Sequence, residues 1–72
     1  MDVKVGNEIR SYIALSGWTL QKIVAAMNEK RTPDDQTTPQ NISNKLSRGT
    51  LKYSEAREIA DVIGFNIKWE KK

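Results

Sequence analysis

The chain contains neither cysteine nor histidine. Without Cys there is no disulfide staple and no thiolate metal site. Without His it lacks the commonest metal ligand and the commonest acid–base catalyst. The remaining Ser, Lys and carboxylate side chains are scattered, and none stands beside an activating base as a nucleophile requires. The expectation is a protein that is not an enzyme, with no catalytic residue, no metal site and no cofactor. No apolar run is long enough to span a bilayer, and the N-terminus lacks the core of a signal peptide. The expected location is intracellular, in the cytoplasm, with no membrane partner.

With 72 residues, 38% hydrophobic and 29% charged, one globular domain over 1–72 is expected. The formal charge is +3 and the isoelectric point is about 9.4, a balance that tolerates a polyanionic partner without requiring one. A second, local absence is more informative. There is no acid between Thr38 and Ser54.

Within that stretch, Thr38 can cap a helix and Pro39 suits its first position. Gly49 can end it in the left-handed conformation. At 100° per residue, Ile42 and Leu46 share one face, with Pro39 near it. Gln40, Asn41, Asn44, Ser47 and Arg48 share the opposite face, flanked by Ser43 and Lys45. Surface helices ordinarily mix Glu with Lys. This one presents amides, hydroxyls and cations, and amides with Arg are the side chains that read base edges in a major groove.

Elsewhere, residues 1–6 alternate briefly and are expected to form an N-terminal arm or short strand, with Asn7 as a helix cap. The first helix is expected from about Glu8 to Ser16, with Ile9, Tyr12 and Ile13 facing a core. Thr19 should cap a second helix, carrying Leu20, Ile23, Val24 and Met27 inward and Gln21 and Lys22 outward. Trp18 and Ile23 have the spacing of a hydrophobic staple. Residues 28–37 read as a frayed helix end and an exposed loop, whose Asp34 and Asp35 are solvated rather than metal-binding. Ser54 should cap a fourth helix, with Ala56, Ile59, Ala60 and Ile63 inward, stopping at Gly64. Phe65 to Trp69 alternates strictly, as a half-buried strand does, and 70–72 is a solvated tail.

The second and third helices have the makings of a helix-turn-helix. Gly17-Trp18-Thr19 resembles the start of the second helix in the phage repressor and Cro-like family, also called the XRE family. Residues 41–48, Asn-Ile-Ser-Asn-Lys-Leu-Ser-Arg, are similar to the recognition helix of small bacterial and phage regulators in it. Ser54-Glu55 leading to 58–64 resembles the helix that follows. The resemblance covers residues 8–64 and is more specific in its second half.

It implies an all-α, four- to five-helix, lambda-repressor-like domain that binds double-stranded DNA and regulates transcription as a repressor or activator. It places base reading on Gln40, Asn41, Asn44 and Lys45. Backbone contacts fall on Thr19, Gln21, Lys22, Thr38, Ser43, Arg48 and Lys52. Two departures stand out. Leu20 occupies a position where the family commonly has Gln, and the link between the second and third helices is long where a tight turn is usual.

Two further expectations come from the residues. The terminal strand should pair its free edge, with residues 3–5 or with a second copy, so that Phe65, Ile67 and Trp69 support a homodimer. As an alternative function, the fold serves as a protein-interaction module that modulates another regulator, for which the acidic loop and the apolar end are the best support.

Overall fold

The helices form where their caps and apolar stripes agree. Thr19 Oγ1 accepts the Lys22 N–H at 3.3 Å, and Thr38 Oγ1 accepts the Asn41 N–H at 3.1 Å, with Pro39 at the first helical position. In the computed structural model, which describes residues 3–71, the elements are α1 (Val3–Ser16), α2 (Leu20–Glu29), α3 (Pro39–Arg48) and α4 (Tyr53–Ile63). A single 3₁₀ turn, Pro33–Asp35, lies between α2 and α3. Gly17, Gly49 and Gly64 follow three of the helices with φ of 78°, 71° and 84°, the left-handed geometry that favours glycine. The architecture is a small all-α domain of helix-turn-helix type, with no strand among the described residues.

The apolar stripes converge as their spacing requires. Ile23, Met27, Ile42, Leu46 and Ile59 are almost wholly enclosed, with Ile13, Val24, Leu51 and Ala56 around them. Burying one such aliphatic side chain stabilises by about 1.5–3 kcal/mol, so this cluster is the main attractive force in the fold. Helix α3 is central. It packs against α1 on one side and α2 on another, and α4 closes over α2.

Three expectations are corrected. The first concerns the N-terminal arm: residues 3–6 are helical, and α1 starts at Val3 rather than Glu8. Asn7 is therefore an exposed residue inside the helix, not a cap. Met1 and Asp2 lie outside the described residues. The alternation of Val3 and Val5 is outweighed by a helical stripe, because Val5, Ile9 and Tyr12 line one groove at i, i+4, i+7. Gly6 is buried at the crossing with α3. A Cβ built on it would run into the carbonyl oxygen of Leu46.

Second, α4 begins one residue before Ser54. Lys52 is the capping residue, and its N–H donates to Glu55 Oε1 at 3.0 Å. An acid three residues in does the work assigned to a hydroxyl.

Third, residues 65–69 form no strand. Phe65 N–H donates back to Ala60 C=O at 2.9 Å, closing α4, and the chain then runs along the α1–α4 groove. Its aromatics find rings rather than a sheet. Phe65 packs on Tyr12 (centroids 5.2 Å apart), and Trp69 packs on Tyr53 (6.0 Å) while donating its Nε1–H to Tyr53 Oη at 2.9 Å. A helical bundle offers no edge for this segment, and tilted ring contacts take the place of backbone pairing. Lys72, the end of the expected tail, lies outside the described residues.

Gly6 supplies the test of the α1–α3 crossing. Ala is about 1 kcal/mol better than Gly inside a helix, but overpacking against backbone costs about 1–3 kcal/mol. Gly6→Ala should therefore lower the thermal midpoint. A rise would show that the two helices do not approach so closely.

Candidate functional site

Helix α3 is fixed from its flanks, and that decides which of its side chains are free. On the α1 side, Arg10 Nη2 donates to Ser43 C=O (3.0 Å), Ser43 Oγ (3.2 Å) and Ser47 Oγ (3.0 Å). On the α4 side, Lys45 Nζ donates to Glu55 Oε2 at 2.8 Å. The core face holds Ile42 and Leu46. The remaining strip, Gln40, Asn41, Asn44 and Arg48, is exposed.

Within the strip, Gln40 Nε2 donates to Asn44 Oδ1 at 3.0 Å, one helical turn apart. That bond orders both amides. It leaves Gln40 Oε1 free to accept and Asn44 Nδ2 free to donate. Asn41 and Arg48 make no side-chain hydrogen bond among the described residues. Neither α2 nor α3 has an acid in its first turn, so the positive ends of both helices are uncompensated.

Of the residues expected to touch bases, three share the strip, and Lys45 is turned aside into its ion pair. Of those expected to touch the backbone, Thr19 and Thr38 serve as caps, and Gln21 and Lys22 lie exposed in the first turn of α2. Lys52 is exposed before α4. The side chains of Lys22, Arg48 and Lys52 have no ion-pair partner among the described residues. Ser43 is engaged by Arg10.

Sequence reasoning missed Arg10, whose partners lie 33 and 37 residues away, beyond any local spacing signal. It also missed how the long link is held. Asn28 brackets Thr37, donating from Nδ2 to its C=O and accepting its N–H at Oδ1, both at 2.9 Å. Arg31 joins Glu58 on α4 through Nε (3.3 Å) and Nη2 (2.7 Å), and its Nη1 donates to Asp35 C=O at 3.1 Å. The side-chain hydrogen bonding to Glu58 outweighs partial burial and holds the guanidinium more firmly charged. Residues 32–36 are exposed, as expected of this loop, but its ends are tied down by Asn28 and Arg31, and Thr37 is buried. The link therefore carries α3 to a defined place despite its length.

Glu55 is the buried charge of the site, 5% exposed. Burial pushes its carboxyl up. The hydrogen bonds from Lys45 and the Lys52 N–H, with the Lys45 charge, outweigh that and hold it below the ordinary carboxylate range. Among the described residues no three His, Cys, Asp or Glu side chains are grouped to hold a metal ion, and no helix is long and apolar enough to cross a membrane. Set against models of protein families, curated proteins and solved structures, the chain finds no match in any of the three.

The depressed Glu55 carboxyl gives a pH test. A lowered folded pKa contributes stability above the unfolded value of about 4.3, and that contribution is lost as pH falls through the folded value. Lys45→Met leaves the buried carboxylate with only the Lys52 N–H. It should cost roughly 1–3 kcal/mol at neutral pH and move acid unfolding to higher pH. Glu55→Gln keeps an acceptor for both donors and should be milder. Chemical denaturation of both variants between pH 3 and 7, a window set by the carboxylate range, checks the order. A Glu55→Gln loss larger than that of Lys45→Met would contradict it.

Proposed function

We propose that this protein binds double-stranded DNA in a sequence-specific way, as a transcriptional regulator of the XRE type, with α3 in the major groove. One observation carries the reading. The outward strip of α3 holds three amides and an Arg with no acid, and α3 is anchored entirely through its other faces. Asn and Gln pair bidentately with adenine, and Arg pairs with guanine. The coupled Gln40 and Asn44 amides keep both donor and acceptor capacity, which suits the N7 and N6 edge of an adenine. Lys22, Arg48 and Lys52, which have no ion-pair partner among the described residues, suit phosphates on either side, along with the Thr19, Gln21 and Thr38 positions at the two helix starts. Lys45 acts mainly by holding α3 to α4, a narrower role than base reading.

A homodimer of this DNA-binding protein is favoured by a separate surface. Val5, Ile9, Tyr12, Tyr53, Ile63 and Phe65 border a groove of about 380 Å³ between α1 and α4. Beside it Phe65, Ile67 and Trp69 are 39%, 43% and 85% exposed. On α1 this groove face is turned away from Gly6 and Arg10, which meet α3. A second copy seated there leaves both α3 strips free, as a two-half-site operator needs.

Two measurements test these readings. Asn41→Ala or Asn44→Ala should weaken binding to a duplex recovered by selection by about 1–3 kcal/mol, while affinity for random duplex stays nearly constant. Equal losses on both would show that the amides only position the protein. Sedimentation at high micromolar concentration should find the intact chain dimeric and a chain ending at Gly64 monomeric. An intact chain that stays monomeric removes the dimer.

A further inference from the structure

Arg10 is tied to α3 in an unusual way. All three of its hydrogen bonds leave from one nitrogen, Nη2, to Ser43 C=O, Ser43 Oγ and Ser47 Oγ. Nη2 carries two hydrogens, so three acceptors saturate it. The guanidinium has three further N–H donors, two on Nη1 and one on Nε. None of them has a partner among the described residues, and no carboxylate pairs with Arg10. Arg31 is the contrast. Its Nε, Nη1 and Nη2 are all engaged, and its charge is met by Glu58. Arg10 is thus a half-exposed cation with one corner fixed to α3 and the rest of its fork open.

We infer that Arg10 is a phosphate-binding residue, holding a backbone phosphate of nucleic acid alongside the α1 flank of α3. The inference rests on the DNA-binding reading above and deepens it. A planar fork with adjacent N–H donors matches two oxygens of a phosphate, and this bidentate pairing is stronger than a neutral hydrogen bond. Ser47 borders the exposed strip on the helix wheel, next to Gln40, so its hydroxyl holds the guanidinium at the edge of the surface that would enter the groove. A helix in the major groove has a phosphate strand on each side. Lys52 and Arg48 lie toward the C-terminal end of α3, Lys22 lies on α2, and Arg10 supplies the α1 side. Ser43 and Ser47 then act by orienting Arg10, and Ser43 does not touch the phosphate itself.

Phosphate contacts do not depend on sequence, so a random-sequence duplex is a sufficient probe. Its affinity is measured by fluorescence anisotropy across a salt series for the intact protein and for Arg10→Gln, with the thermal midpoint of each. Loss of one phosphate contact lowers the log–log salt slope by about one. The expected result is that drop for Arg10→Gln, with equal weakening on a selected duplex. A lower thermal midpoint with an unchanged slope overturns the inference and leaves Arg10 as a tie between helices. Should Arg10→Gln fail to fold, labelling of the intact protein with an arginine-selective dicarbonyl decides. Duplex should protect Arg10 and spare the exposed Arg57 on α4, and equal labelling of Arg10 with and without duplex overturns the inference. An intact protein with no salt-dependent affinity for any duplex removes the DNA-binding reading itself, a different outcome from an unchanged slope.

Discussion

The pairing of Lys45 with Glu55 fixes the orientation of α3, and much of the site follows from it. A carboxylate enclosed in a domain this small is unfavourable unless a cation and a donor meet it. Here the cation comes from α3 and the donor is the backbone N–H that starts α4. The Glu55 carboxylate thereby caps α4, and its pairing with Lys45 neutralises the buried charge and sets the rotation of α3. With Arg10 bonded across the opposite flank, α3 cannot roll without breaking contacts on one side or the other. The amide strip faces outward because every other face is occupied.

The same logic explains how a long connection is compatible with a defined two-helix pose. A tight turn sets the angle between two helices through its own backbone. Residues 30–38 are too many for that, and the work passes to side chains. The Asn28 amide bonds Thr37 much as a neighbouring backbone would, and Arg31 ties the turn at Pro33–Asp35 to α4. These contacts involve groups that a loop of this composition would otherwise leave in water, where pairs of exposed charges contribute little. Their partial enclosure makes them more effective here.

Much of this was legible in the sequence. The stripes at Leu20, Ile23, Val24 and Met27, at Ile42 and Leu46, and at Ala56, Ile59 and Ala60 are periodic, and periodicity is what burial imposes on a helix. Thr19, Thr38, Gly17, Gly49 and Gly64 act within a few residues of themselves, so their capping roles are local. What escaped is long-range or ambiguous at short range. Gly6 in a helix is intelligible only once Leu46 lies against it. Arg10 means nothing until α1 crosses α3. Phe65 to Trp69 has a strand's alternation, yet the fold offers it Tyr12 and Tyr53 instead of another strand. The strip of α3 was readable as a surface, while the diversion of Lys45 from it depends on Glu55, ten residues on, being buried.

The central claim is that this strip recognises DNA sequence, and selection from a random duplex pool tests it most directly. The protein is incubated with the pool at moderate salt, bound duplex is recovered over a few rounds, and the product is sequenced. The account predicts enrichment of a short motif containing adenine, arranged as two inverted half-sites about one helical turn apart, roughly 34–36 Å. Recovery of sequences indistinguishable from the starting pool would contradict it.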